Sequence, residues 1–110
     1  MREGLFNGYK VKLVETLSDL DEIRKSLYPS IRVGFDTETT GLDYVNDRIV
    51  GFCVATGSSY SPKDYVGYYI PVRHRVGTNL PLEPVLDLMR KILYEYKTIF
   101  WNRSYAFFML

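Results

Sequence analysis

The sequence predicts an α/β domain, because three apolar strand-like runs follow one another and two other stretches repeat apolar residues at helical spacing. Short polar segments join the three runs, which favours a three-stranded antiparallel meander. A helix, a fourth strand and a last helical turn follow the meander, and a shorter helix precedes it. The length of 110 residues sets an upper bound of one domain, so we expect a single domain over residues 1–110.

The chain is expected to begin with an irregular lead-in over residues 1–10, where glycine and asparagine stand among apolar residues. Val11 and Leu13 then indicate a short extended segment. Ser18 is the expected N-cap of the first helix, because acidic residues fill the following turn and apolar residues recur at helical spacing. Pro29 is expected to end this helix.

The meander is assigned to three runs of apolar and aromatic residues. They are Ile31–Glu38, Arg48–Thr56 and Val66–Val72, with a polar turn at residues 43–47 between the first two. The second run is apolar on both faces, so we expect it to be buried on both faces. Pro71 lies late in the third run, which suits a strand end or an edge.

The second half of the chain predicts a helix, a strand and a final helical turn. Apolar residues recur every three or four positions over Leu82–Tyr96, and Pro84 suits the first turn of this helix. Thr98–Trp101 is rich in β-branched and aromatic residues and predicts a fourth strand. Asn102 opens a last helical turn that is expected to continue through Leu110.

The composition excludes several classes of protein. The chain is 46% hydrophobic and 25% charged, and its 14 basic and 13 acidic residues give a net charge of +1, so any nucleic-acid binding must rest on a local patch. The single Cys53 cannot form an internal disulfide, and it lies in an apolar run, so we expect a buried thiol in a reducing compartment. Neither a membrane span nor a signal peptide is evident, so we expect a cytoplasmic protein.

A basic cluster follows the third strand. Arg73, His74 and Arg75 are consecutive in a polar segment. A zinc site would need more partners than one histidine and one cysteine offer. We therefore expect His74 to be a solvated loop histidine.

Two acidic residues stand at the end of the first meander strand. Asp36 and Glu38 are separated by one residue, so their side chains leave the same face of the strand, about 6–7 Å apart along it. Two converging carboxylates repel each other unless a cation lies between them, and oxygen ligands favour Mg²⁺ or Mn²⁺ over zinc. The alternative is that this segment simply ends the strand in a hydrogen-bonded turn.

The longer string V-G-F-D-T-E-T-T-G-L-D, residues 33–43, resembles the first motif of the 3′-5′ exonucleases with four acidic ligands, which have a ribonuclease-H-like fold. The resemblance implies that Asp36 and Glu38 are catalytic residues that hold two Mg²⁺ or Mn²⁺ ions, with Asp36 bridging them. It also implies that Thr39 and Leu42 grip the 3′-terminal nucleotide. The predicted order of elements fits the N-terminal part of this fold, in which the fourth strand ends beside the first.

The string W-N-R-S-Y-A, residues 101–106, is similar to the second motif of the same family, His-Asn-x-x-Phe/Tyr-Asp. Asn102 and Tyr105 match, whereas Ala106 stands at the position of the acid. The resemblance implies that Asn102, Arg103 and Tyr105 contact the substrate, with Arg103 near a phosphate and Tyr105 beside a terminal base. It also implies that Ala106 removes a catalytic carboxylate. An aromatic helix packed on the sheet is the alternative for this segment.

A third resemblance narrows the family. Y-I-P-V at residues 69–72, followed by His74 and later by K-T-I-F-W-N, is similar to the proofreading domain of polymerase I-family DNA polymerases of bacteria and phages. It covers roughly residues 10–110, and the chain ends before a Tyr-x-x-x-Asp third motif would follow the second, so the resemblance implies a partial exonuclease domain over residues 1–110. The implied partners are a single-stranded DNA 3′ end and the polymerase domain of a longer chain. A non-catalytic module that binds DNA ends or supports a neighbouring domain and a ribonuclease D-like RNA exonuclease remain open, since the residues do not separate DNA from RNA.

Overall fold

The computed structural model describes residues 1–41, 43, 45–57 and 61–99. Within these ranges the chain forms six β-strands and two α-helices, so the α/β class is confirmed. The elements in chain order are β1 Arg2–Phe6, β2 Tyr9–Leu13, α1 Leu20–Ser26, β3 Arg32–Thr39, β4 Ile49–Thr56, β5 Val66–Pro71, α2 Leu82–Glu95 and β6 Lys97–Ile99.

The six strands form one mixed sheet in the order β1-β2-β5-β4-β3-β6. Strands β3, β4 and β5 are antiparallel neighbours, as the sequence predicted. The whole sheet is not a simple meander, because β2 pairs parallel to β5 and β6 pairs parallel to β3. Parallel neighbours need crossover connections. Helix α1 lies between β2 and β3 in the chain, and α2 lies between β5 and β6.

The prediction of an irregular lead-in over residues 1–10 was wrong, because β1 and β2 form an antiparallel hairpin. Phe6 pairs with Tyr9, and the two residues between them, Asn7 and Gly8, have φ values of 50° and 83°. Asn-Gly is the preferred pair for a tight hairpin turn with positive φ at both positions, because its backbone twist matches that of the flanking strands. The turn signal was present in the sequence and was interpreted as irregular structure.

The N-cap of the first helical segment is Thr16 and not Ser18, and α1 itself begins at Leu20, directly after Asp19. The Thr16 hydroxyl accepts a hydrogen bond from the Asp19 amide, and the Asp19 carboxylate accepts one from the Thr16 amide. This reciprocal capping box satisfies amides that the helix start leaves free. It opens a short 3₁₀ turn over Leu17–Asp19 that continues into α1, which ends at Ser26, before the predicted stop at Pro29.

The core lies between one face of the sheet and the two helices. Buried residues of both helices and of the strands belong to a single cluster: Leu20 and Ile23 of α1; Val85, Leu88, Met89, Ile92 and Leu93 of α2; and Val33, Phe35, Phe52, Val54, Tyr68 and Ile70 of the sheet. The predicted helical stripe of α2 is therefore core, as expected.

The opposite face of the sheet is not covered by α1 or α2. The prediction that β4 is buried on both faces was therefore wrong: Phe52, Val54 and Thr56 are buried on the helix side, whereas Cys53 and Ala55 on the other side are half-buried. Side chains alternate between faces along a strand, so Cys53 and every second residue from it in β4 lie on this second face. In the described ranges no helix is both long enough and apolar enough to cross a membrane.

Candidate functional site

Asp36 and Glu38 lie on the sheet face that α1 and α2 leave uncovered. Both are in β3 and both side chains are exposed, whereas Val33 and Phe35, of the opposite parity, are buried beneath the helices. The strand alternation thus brings the two carboxylates to one face. A register shift between Glu38 and Thr39 ends the regular pairing of β3 with β4 directly after the second acid. A bulge of this kind bends a strand and redirects its side chains.

Strand register sets the neighbours of the two acids. Asp36 pairs with Cys53, and Cys53 pairs with Tyr69 of β5. Glu38 pairs with Gly51, which pairs with Pro71. Directly paired residues of neighbouring strands point to the same face, so all six residues lie on one face of the sheet.

The same face carries an open groove of about 750 Å³ that includes Asp36, Cys53 and Tyr69 in its lining. Gly34, Ala55 and Gly67 also line it and form a row of small residues across three strands. These residues have little or no side chain, which leaves this part of the sheet face uncovered. Asp36 therefore lines an accessible concave surface.

The carboxylates influence the groups beside them. Burial raises the pKa of the Cys53 thiol to about 11, with further contributions from the charges of Glu38 and Asp36. The thiol is half-buried, and at this pKa it stays protonated at neutral pH, so Cys53 is a poor nucleophile. The expectation of a buried thiol was wrong, because the face that carries Cys53 is open and the residue is half-buried.

The segment after β3 is a hydrogen-bonded turn, which was the structural alternative for this motif. The Thr40 hydroxyl donates to the Asp47 carboxylate (2.8 Å) and accepts from the Arg48 amide (3.0 Å). The Asp43 amide donates to Asp47 (2.8 Å), and the Thr39 hydroxyl donates to the Gly41 carbonyl. The turn is thus held by residues after Glu38.

The two acids are not part of that network. Asp36 accepts a hydrogen bond from the amide of Thr37 (2.9 Å). In the part of the chain that the structure describes, no side chain forms a hydrogen bond or ion pair with Glu38. The turn therefore accounts for Thr39 and Thr40, and it leaves the carboxylates of Asp36 and Glu38 exposed.

The structure describes only some of the predicted site residues. Asp36, Glu38 and Thr39 are described, and the Thr39 hydroxyl is engaged in the turn. The remaining predicted residues, Leu42, Asn102, Arg103, Tyr105 and Ala106, lie outside the described residues, so their roles stay predictions. The last described residue, Ile99 of β6, pairs with Gly34, two residues before Asp36.

The acidic side chains of this sheet face suit a hard divalent cation but do not enclose one. Among residues 1–41, 43, 45–57 and 61–99, no group of three or more histidine, cysteine or acidic side chains is arranged to hold a metal ion. Asp36 and Glu38 offer oxygen atoms only, which matches the preference of Mg²⁺ and Mn²⁺. Two exposed carboxylates with water as the other ligands would bind such an ion weakly.

His74 is not the solvated loop histidine that the sequence predicted. It is half-buried, and its Nε2 atom is hydrogen-bonded to the Tyr69 hydroxyl. The tyrosine ring extends over Gly51, where a Cβ atom would overlap its hydroxyl. The available signal in the sequence was Gly51 itself, because a glycine inside an apolar strand indicates that another group approaches closely.

Comparison with known proteins adds one similarity. No protein-family model matches the chain. A stretch of 63 residues, 57% of this chain, is 33% identical to DNA polymerase I of Borreliella burgdorferi, and the chain covers 6% of the length of that protein. The chain thus contains a region that is similar to a small part of a DNA polymerase I.

Proposed function

We propose that this chain is part of a 3′-5′ exonuclease domain of the polymerase I type, with a ribonuclease-H-like fold and a role in proofreading during DNA replication. One observation carries the proposal: Asp36 and Glu38 lie exposed on one sheet face, at the end of a central strand, outside the turn network that follows. The similarity to a DNA polymerase I supports it. As part of a longer polymerase, the chain would act in the cytoplasm beside a polymerase domain.

The residues of the proposed site have distinct roles. Asp36 and Glu38 would hold Mg²⁺ or Mn²⁺, which when bound supplies an activated water and stabilises negative charge at a phosphate. Leu42 and Tyr105 would lie beside the terminal bases, since an aromatic ring stacks on any base. Thr39 and Asn102 would position the terminal nucleotide, and Arg103 would pair with a phosphate.

Ala106 makes this form inactive in the proposed mechanism. It supplies no oxygen where the family motif has an acid, so one carboxylate ligand is missing. A transition state that gathers negative charge on a phosphate depends on groups held in place beforehand. The remaining two acids would bind metal and the DNA end without efficient hydrolysis.

Metal binding tests the proposal directly. Titration with Mn²⁺ should broaden the amide signals of residues 36–38 first, and Asp36→Asn should abolish that effect because the variant removes one of two charged ligands. Asp87→Asn is the matched control, since Asp87 is an exposed acid on α2, which packs against the opposite sheet face. Broadening that is centred on His74, or that is equal in the two variants, would show that the site is misplaced.

A further inference from the structure

Tyr69 and His74 form a polar pair beside the carboxylates. Gly51 is the register partner of Glu38, and the Tyr69 hydroxyl lies over Gly51. Neighbouring strands are about 4.8 Å apart, so the hydroxyl is about one strand spacing from the backbone of Glu38. Burial raises the pKa of Tyr69, and the neighbouring Cys53 and the negative charge of Glu38 raise it further, which agrees with this proximity.

The pair is held rigidly by the loop that follows β5. The Asn79 side chain accepts a hydrogen bond from the His74 amide and donates one to the His74 carbonyl, both at 2.8 Å. The amides of Val72 and Arg73 donate to the carbonyl of Val50 (3.0 and 3.2 Å). The ring centroids of Tyr69 and His74 are 5.6 Å apart, with an angle of 58° between the planes. The pair is therefore preorganised before any ligand arrives.

A hydrogen-bond donor remains free for a ligand whichever atom of the pair donates. If Nε2 of His74 carries the proton, the Tyr69 O–H points elsewhere. If the Tyr69 hydroxyl donates to Nε2, the neutral imidazole keeps its N–H on Nδ1. Arg73 and Arg75 flank His74 in the chain and are both exposed, so this loop carries two positive charges. Donors and cations together favour an anion.

We propose that Tyr69 and His74 bind a phosphate group of a nucleotide whose metal ion is held by Asp36 and Glu38. This inference rests on the proposed function and adds to it two phosphate-binding residues that the exonuclease resemblance does not assign. The two carboxylates would repel a phosphate in the absence of a cation, so phosphate binding must depend on the metal. The ligand class is a nucleoside monophosphate or the terminal nucleotide of a strand.

Calorimetric titration of the chain with dTMP at saturating Mg²⁺ tests the inference. Tyr69→Phe and His74→Gln should each weaken dTMP binding by about tenfold, since one variant or the other removes the donor to the phosphate and its counterpart removes the partner that orients that donor. Thymidine, which lacks the phosphate, should bind equally to all variants. Tyr65→Phe is the matched control, because the Tyr65 hydroxyl donates to the carbonyl of Arg32 outside this pair.

The outcomes separate this inference from the proposed function. Inorganic phosphate that competes with dTMP, and loses affinity in the same two variants, would support a phosphate site. Equal dTMP affinity in wild type and Tyr69→Phe, with both folded by circular dichroism, would overturn the inference. So would dTMP binding that is undetectable or independent of Mg²⁺. If Mn²⁺ still binds at residues 36–38 in those cases, the proposed function stands and only the inference that Tyr69 and His74 bind phosphate is contradicted.

Discussion

Gly51 shows how a single residue shapes this site. Its missing side chain leaves room for the Tyr69 ring, whose hydroxyl reaches across β4 towards the strand that carries Glu38. A larger residue would separate the Tyr69–His74 pair from the carboxylates. The absence of a side chain at position 51 thus places polar groups from two segments on one surface.

Replacing Gly51 with alanine should therefore disrupt the pair. The new Cβ would overlap the tyrosine hydroxyl, so the ring must rotate and the hydrogen bond to His74 is lost. Gly67→Ala is the control, because its Cβ would lie 3.7 Å from Val11, an ordinary contact. We expect the free energy of unfolding of Gly51→Ala to be about 1–2 kcal/mol below that of Gly67→Ala, measured by urea denaturation. Equal stability would mean that the pair contributes nothing.

The residues of the site differ in how far the sequence predicts them. Asp36 and Glu38 could be placed on one exposed face, because strand alternation is a local rule that needs only the strand assignment. The contact of Tyr69 with His74 could not be predicted, since it depends on the register of β4 and β5 and on the path of a loop. His74 has no signal of its own in a polar segment, and only the glycine at position 51 indicated close approach.

At the scale of elements, the Glu22 side chain connects helix α1 with strands β2 and β5 through hydrogen bonds. Its carboxylate in α1 accepts hydrogen bonds from Lys12 of β2 (2.8 and 3.0 Å) and from the Tyr68 hydroxyl of β5 (2.7 Å). The sequence predicted α1, β2 and β5 separately, but the hydrogen bonds that connect them require β2 to lie parallel beside β5. That pairing involves residues distant in the chain, so no local pattern indicates it.

The hydrogen bonds to Glu22 should make the free energy of unfolding depend on pH. The hydrogen bonds from Lys12 and then from Tyr68 hold the pKa of Glu22 below its ordinary value of 4.5. A lowered pKa in the folded state contributes stability above the ordinary pKa, and this contribution is lost as the pH falls through the lower value. Glu22→Gln should therefore be less stable than wild type at neutral pH, and the difference should shrink well below pH 4.5.

The size of this effect and its control follow from exposure. The Glu22 side chain is 43% exposed, so screening by water limits the contribution to less than about 1 kcal/mol. Glu83→Gln is the control, because Glu83 is 75% exposed and 4.0 Å from Arg90. Urea denaturation at neutral pH and well below pH 4.5 measures the free energy of unfolding of both variants. If the difference in unfolding free energy between wild type and Glu22→Gln does not change with pH, the Glu22 carboxylate does not stabilise the fold through these hydrogen bonds.

Local patterns mislead in other elements. Thr16 and not Ser18 caps the first turn, because the Asp19 carboxylate completes a capping box with Thr16, although Ser18 also has an acid, Asp21, three residues later. Asn7 and Gly8 carried a hairpin signal, but the flanking strands are short and exposed, so no apolar alternation supported it. Elements with a buried face, such as β3 and α2, were predicted within one residue at each end.

At the scale of the whole molecule, the sheet is covered on one side and open on the other. Both helices pack on the face that carries Phe52 and Val54, and the carboxylates lie on the opposite face. Strand β6 pairs parallel to β3 at the edge of the sheet, beside the strand that carries both acids. Completing the proposed site therefore depends on residues that follow β6 in the chain.

Restoring the acid tests this dependence. Ala106→Asp would place a carboxylate four residues after Asn102, on the same face if the segment is helical. In the present chain the change should tighten Mn²⁺ binding at least several-fold, because a third charged oxygen ligand joins two. It should give little turnover, since the present chain carries no third motif after Ala106. Ala106→Asn, which adds similar volume without charge, is the control for metal binding.

In a chain extended through a Tyr-x-x-x-Asp segment, Ala106→Asp should produce Mg²⁺-dependent release of mononucleotides from a single-stranded 3′ end. The activity should disappear again on Asp36→Ala, because the two-metal arrangement needs both acids. Comparing DNA with RNA oligonucleotides distinguishes a proofreading domain from a ribonuclease D-like enzyme. If the extended Ala106→Asp protein folds and binds a free 3′ end but cleaves neither nucleic acid, the chain is a module that binds strand ends without hydrolysing them.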